Sequence, residues 1–309
     1  MSDLQKSILS TIIYYDVLDM APTSHEVWSN LLDWKGQTPY LGEVLQALAD
    51  LKQQGLIGQK WGFNSLTGKE HLAVERLDKL NFVDEKWKKA QRGFWLLAAV
   101  PYVRILFASG SFALGNTDQD SDIDILVVLR GGRIWTGRFF VTVLIHFLSL
   151  RRHGKKIADR ICLNHFITDM SLKIPFESLY NAHVYANLVP IMTVRGAKAE
   201  DFFKANEWIN NFVSRDGSEI ISKRTIAPNP FLLTIGSVLE FVLNTPLGET
   251  LEKVLKRLQQ ERILNNPATQ SKKGHVLADD NMLAFHPHSP EKDILEKYTE
   301  QLKELNIES

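Results

Sequence analysis

Residues 103–128, VRILFASGSFALGNTDQDSDIDILVV, leave this chain little freedom in how it folds. Residues 103–108 are largely apolar and β-branched and stop at Ser109-Gly110-Ser111, the pattern of a buried strand running into a tight turn. A short helix is expected next. A second apolar run, residues 123–129, follows the turn signal Asn116-Thr117-Asp118-Gln119-Asp120-Ser121. Asp122 and Asp124 stand two apart at its start, so they project from one face of a strand. Like charges at the mouth of a buried strand repel each other and lose hydration. A divalent cation is the usual physical reason to keep them, and Mg²⁺ favours one or two carboxylates plus phosphate oxygens. Gly110 allows close backbone approach to an anion, and Ser111 offers a hydroxyl where the helix begins, a place suited to phosphate. A phosphate cradle and a metal clamp around one point are the equipment for phosphoryl or nucleotidyl transfer. The plain alternative is that Asp120 and Asp122 shape a turn and Asp124 is a solvated edge charge.

Gly110-Ser111, ten intervening residues, then Asp122-Ile123-Asp124-Ile125 resembles the signature of the DNA polymerase β-like nucleotidyltransferase superfamily. Gly115 and Ser121 also stand where small bacterial and archaeal members often have Gly and Ser. The resemblance implies transfer of a nucleoside monophosphate from an NTP, with Mg²⁺ (or Mn²⁺) held by Asp122 and Asp124. Gly110, Ser111 and Ser121 would then face the nucleotide. In the superfamily a third strand beside the DxD strand usually supplies a third carboxylate, which binds metal and can accept the acceptor's proton. Residues 161–168, ICLNHFIT, read as that strand, and the matching inward position holds Asn164. Asn can offer a carbonyl oxygen but cannot act as a base. Regular alternation turns His165 to the other face and places Cys162 beside Asn164 as a small buried hydrophobe. Asp159 and Asp169, at the strand's ends, are the nearby acids that could substitute.

Composition sets limits around this core. A length of 309 residues suits two or three domains, and 44 % hydrophobic with 23 % charged residues fits a chain with a substantial core. The 36 basic and 36 acidic residues cancel, so the molecule as a whole is no magnet for nucleic acid and any such contact must be local. One such place is residues 130–160, where Arg130, Arg133, Arg138, Arg151, Arg152, Lys155, Lys156 and Arg160 face Asp159 alone. The functional reading is that some of them meet the triphosphate of an NTP or a polyanionic acceptor such as RNA, beside the simpler reading of a positive surface balancing acids elsewhere. A lone cysteine, Cys162, excludes an intramolecular disulfide and fits a cytoplasmic setting. No signal peptide is visible at the start, and no membrane partner is expected. The longest apolar runs, 139–150 and 231–243, are short and carry His146 and Glu240.

The expected fold class is α+β, in four parts. Residues 1–68 read as three helices and a hairpin, a winged-helix-like module: 4–20, a helix capped by Ser24, 41–54 ending at Gly55, and strands in 56–66 turning near Gly62. Val44, Leu45, Leu48 and Leu51 form the core stripe of the third helix, whose Glu43, Asp50 and Lys52 suit a scaffold better than a DNA-reading surface. Residues 69–100 are a connecting helix, with Lys88, Lys89 and Arg92 on a solvated face. Residues 101–212 are the polymerase β-type catalytic sheet with flanking helices, including an apolar one at 135–150. Residues 213–309 are a C-terminal helical region with a polar stretch at 267–274, a loop holding His286 and His288, and a last helix capped by Ser289. Residues 231–265 could pack on the catalytic part or pair with a second copy of the chain. ICLNHFIT, FFKANEWINNF at 202–212 and the winged-helix-like start together resemble a poorly characterised bacterial branch of the superfamily, which names no acceptor. Two function classes follow: a transferase acting on an unidentified hydroxyl (small molecule, tRNA end or protein), or a degenerate relative that binds NTP and engages a partner. A transcription factor is a weaker third.

Overall fold

The computed structural model describes residues 1–214, 224–267, 274–287 and 289–307. The expected stretch at 267–274 and His288 lie largely or wholly outside them.

At its centre is a six-stranded mixed sheet in the order β7-β4-β5-β6-β10-β9. The strands are β4 (Val103–Ala108), β5 (Ile123–Leu129), β6 (Ile161–Thr168), β7 (Val189–Thr193), β9 (His275–Ala278) and β10 (Met282–His286). β4 and β5 are antiparallel and β5 and β6 parallel. A parallel pair needs a crossover, here α6 (Ile134–Phe147). Two-residue alternation splits the central strands between two cores. Leu126 and Val128 of β5, with Ile105 and Phe107 of β4, face one core; Ile125, Val127 and Leu129, with Leu106 and Ala108, face the other. The first core is covered by α1 (Asp3–Val17), α3 (Leu41–Gln53), α7 (Leu179–Ala186) and α11 (Glu291–Glu304). The second is covered by α4 (Leu72–Leu96), α6, α9 (Pro230–Leu243) and α10 (Pro246–Leu264).

The N-terminal part contains the expected helices, with α2 at Ser24–Ser29, and the hairpin β2 (Ile57–Lys60) and β3 (Phe63–Leu66). The cap of α2 is Thr23, not Ser24: its hydroxyl accepts the Glu26 amide at 3.1 Å while Glu26 reaches back to the Thr23 amide at 2.7 Å. Gly55 closes α3 with φ +72°. Leu45, expected in the core stripe, is exposed, and Ala47 is buried in its place. This part shares one continuous core with the sheet. It is also stitched on by β1 (Leu31–Leu32), which pairs with β8 (Val213–Ser214).

The C-terminal region differs from the all-helical expectation. Met282–Ala284 of β10 pair with His165–Ile167 of β6, so residues from near the end of the chain cover the outer edge of the sheet. The expected loop at His286 is the end of a strand, and His275 sits opposite it. The single acid of α9, Glu240, is buried and holds that helix to the sheet: it accepts the Tyr102 amide at 2.7 Å and Arg104 Nη1 at 2.9 Å, and pairs with Arg195 at 3.0 Å. Burial opposes its charge, yet the Arg104 hydrogen bonds, the Tyr102 amide and the two cations hold its carboxyl below the usual range. Glu252 of α10 likewise accepts the Trp135 and Thr136 amides that open α6, at 3.0 and 2.8 Å. On the outer side of α9, Phe231, Val238, Phe241 and Val242 are exposed. Among the described residues no single helix is long and apolar enough to cross a membrane.

Candidate active site

The site forms where β4 ends and β5 begins. The Ser109 amide donates to the Asp124 carbonyl at 3.0 Å, which ties the two strand ends together. Gly110 then turns with φ +60° into α5 (Gly110–Leu114), and a Cβ at this position would lie 3.0 Å from Asp124 Oδ2. Positive φ and this close approach both explain glycine here. Ser111 stands in the first turn of α5, partly buried.

Two buried cations fix the turn between α5 and β5. Arg76 donates to the carbonyls of Gly115 and Leu114 at 2.6 and 2.8 Å and to Glu26 at 2.8 Å, joining the N-terminal part to the end of α5. Lys86 is buried and donates to the carbonyls of Gln119 and Ser121 and to Asp159, at 3.0, 2.8 and 3.0 Å. The Ser121 hydroxyl, expected to face the nucleotide, accepts the Asp118 amide at 3.1 Å and so closes this turn.

Asp122 and Asp124 emerge side by side. One ligand atom from each, together with Cys162 Sγ, lies within 4.8 Å of the others. Burial, then the charge of Asp122, pushes the Asp124 carboxyl up to about 7 against the opposing pull of Cys162, Arg152 and Asn164. Burial, then the two carboxylates, pushes the Cys162 thiol far above its ordinary range, so sulfur is present as SH. A protonated thiol is a poor partner for a hard cation, whereas two crowded carboxylates are good ones. The donor set therefore fits Mg²⁺ or Mn²⁺ bound through Asp122 and Asp124.

Asn164 reaches the same point, with Nδ2 3.4 Å from Asp124 Oδ1. It does so from an irregularity in β6: Asp124 pairs with Cys162, but Leu126 pairs with His165, one residue further than regular pairing allows. This bulge resets the alternation. His165 consequently lies opposite Leu126 on the face that carries Asp124, contrary to the expectation that it turns away. There it is buried, with ring centres 6.0 Å from Tyr185 and 5.4 Å from His286. Burial, then His286, lowers its pKa, so it is neutral.

Neither nearby acid replaces the missing third carboxylate. Asp159 is engaged by Lys86 and Lys89. Asp169 accepts the Gly131 amide at 2.8 Å, and its own amide binds the Leu129 carbonyl, at the far end of β5 from Asp124. Lys89 pairs with Asp159 while keeping half its side chain exposed. The basic segment is also partly structural: Arg138 is packed over Phe166 and Phe285 and donates to Gln259 at 2.7 Å. Burial, then the charges of Arg151 and Arg262, brings it down to about 10.

Sequence reading missed Tyr180 and Lys86 as site neighbours, and it named Arg152 only as one cation of the basic segment at 130–160, without its pairing to Asp122. Arg152 Nη1 lies 2.5 Å from Asp122 Oδ2 and 3.5 Å from Cys162 Sγ. Tyr180, on α7, is pushed up to about 12 by burial, then by Asp124 and Glu291, and so lies within electrostatic reach of the site. Lys86 had a visible signal, since it shares the helical stripe of Val83, Ala90 and Phe94. Tyr180 had none, and the pairing of Arg152 with Asp122 had none, because both depend on how loops and helices return to the sheet.

Residues 98–185 match the family model of the nucleotidyltransferase domain, a segment that begins just after α4, ends in the last turn of α7 and contains Gly110, Ser111, Asp122, Asp124, Arg152 and Asn164. The match supports the polymerase β-like superfamily for this segment and, with it, a transferase that takes an NTP. Comparison of the chain with curated proteins and with solved structures returned no match.

Proposed function

We propose that the protein is a Mg²⁺-dependent nucleotidyltransferase that moves a nucleoside monophosphate from an NTP to a hydroxyl acceptor. The observation that carries this reading is the convergence of Asp122, Asp124 and the Gly110 turn on one point, inside the segment that matches the family model. A divalent cation held by Asp122 and Asp124 supplies charge neutralisation for the phosphates. Gly110 keeps the backbone low enough for phosphate oxygens to approach, and Ser111 offers them a hydroxyl donor. The acceptor oxygen bonds to the α-phosphorus, the bond from that phosphorus to the bridging oxygen breaks, and pyrophosphate leaves with the electron pair. Asn164 orients Asp124 through its amide; it takes no proton, so the acceptor's proton passes to water or to the acceptor's own neighbourhood.

Asn164 also favours a second reading, an NTP-binding regulator with little turnover. General-base help is worth roughly 10²–10⁴-fold, enough to separate a working enzyme from a sensor. The N-terminal part, read as a winged-helix-like scaffold at 1–68 followed by the 69–100 connector, then serves as the docking module beside a catalytic part at 101–212. A reducing cytoplasm suits the lone, buried Cys162. The test is label transfer from α-labelled NTPs, with Mg²⁺ or Mn²⁺, to pools of tRNA, small alcohols and proteins. Labelled product in one pool identifies the acceptor class. Metal-dependent NTP binding without product selects the regulator.

A further inference from the structure

We propose that Arg152 is the built-in counter-ion of Asp122 in the metal-free protein, displaced by an entering divalent cation and handed on to the phosphates of the nucleotide. This rests on the transferase reading above and adds a residue that couples its two ligands.

The guanidinium occupies the Asp122 oxygen that a metal would share. Its Nη1 is 2.5 Å from Asp122 Oδ2 and 3.5 Å from Cys162 Sγ, at the cluster whose ligand atoms lie within 4.8 Å of one another. Asp122 cannot give the same oxygen to a cation and to Arg152 without bringing two positive charges together, so one must move. The backbone beneath Arg152 is not free to do so. Its amide donates to the Ile161 carbonyl at 3.0 Å, and the Ile161 amide donates to the Leu150 carbonyl at 2.7 Å, which locks the loop to the first residue of β6. The side chain can move, because 44 % of it is exposed.

A displaced guanidinium tethered at that point stays beside the cation site. The groups that enter with the cation are phosphates, and a planar fork of donors matches their oxygens better than any other side chain does. Arg152 thus opposes metal binding when no nucleotide is present and supports nucleotide binding once metal is in place. The two ligands become mutually dependent through one side chain, and the dependence is reciprocal.

The experiment uses the full chain as wild type, Arg152→Gln, Arg152→Lys and Asp122→Asn. Mn²⁺ alone is titrated and followed by the resonance signal of free Mn²⁺. An α,β-methylene NTP is then titrated at saturating Mn²⁺. Arg152→Gln is expected to bind Mn²⁺ alone about tenfold more tightly than wild type and the nucleotide analogue about tenfold more weakly, within the usual range of coupling between sites. Arg152→Lys, which keeps charge but loses the fork, should keep part of the nucleotide affinity. Mn²⁺ binding that is lost in Asp122→Asn but equal in wild type and Arg152→Gln overturns the role of Arg152 and leaves the metal site standing. An unchanged nucleotide affinity in Arg152→Gln overturns it as well. Absence of Asp122-dependent Mn²⁺ binding in every protein removes the metal site and this proposal together.

Discussion

Asp124→Asn should stabilise the metal-free protein at alkaline pH. In the fold the Asp124 carboxyl is raised from 3.8 to about 7, first by burial and second by the charge of Asp122. An acid whose folded pKa lies above its unfolded one binds more protons when folded, so stability is lost as pH rises through that window. A shift of about three units corresponds to about 4 kcal/mol between the two protonation states, and titration of Asp124 together with Asp122 brings the realised effect to about 2–4 kcal/mol. Asparagine has nearly the same shape and no charge at any pH. Urea denaturation in EDTA from pH 4 to pH 8 should therefore show the variant level with wild type near the acid end and ahead by about 2–4 kcal/mol at pH 8. Mg²⁺ should stabilise wild type at pH 8 and leave the variant largely unmoved. A variant that is less stable than wild type at pH 8, or one whose advantage does not change with pH, would refute the burial of a repelled carboxylate.

Gly110→Val places a side chain at φ +60° with its Cβ 3.0 Å from Asp124 Oδ2. Its folding stability should fall by about 1–3 kcal/mol, and calorimetric titration of MgATP should show no binding. Asn164→Asp restores the third carboxylate position beside Asp124, so Mn²⁺ affinity and label transfer should both rise; wild-type values for both would mean that Asn164 is only a strand residue. Lys86→Met leaves the Gln119 carbonyl and part of Asp159 unpartnered and the Ser121 carbonyl with the Asp159 amide alone. A loss of about 2–4 kcal/mol in urea denaturation is expected, together with weaker metal binding as the turn before Asp122 loosens.

The central strands and their acids were legible because local pattern decides them: β4 and β5 are apolar runs bracketed by turn residues, and Asp122 and Asp124 interrupt one at its mouth. The nearness of Asn164 to Asp124 was expected from the resemblance of ICLNHFIT to the superfamily's third strand, not from local pattern alone. The direction of His165 was not, because ICLNHFIT reads as regular alternation and the bulge that resets it exists only in the pairing with β5. Strands β9 and β10 span four and five residues, too few for an alternating pattern to stand out near a polar stretch. The pairing of Arg152 with Asp122 was hidden because the carboxylate lies thirty residues earlier in the chain. Glu240 marked α9 as an unusual apolar helix, yet only its three partners, Tyr102 just before β4, Arg104 on β4 and Arg195 just after β7, explain why a charge is kept there.

The late pairing of β10 with β6 bears on how the protein is made. During synthesis the strand that presents Asn164 leaves the ribosome long before Met282–His286, and until they arrive its outer edge displays a row of unpaired amides and carbonyls. Such an edge is a template for other chains, so nascent molecules are most prone to stick to one another in this interval. A chain cut short before β10 keeps every residue of the proposed site and still lacks the strand that closes its sheet. It should be recovered as aggregate rather than as a weakened enzyme.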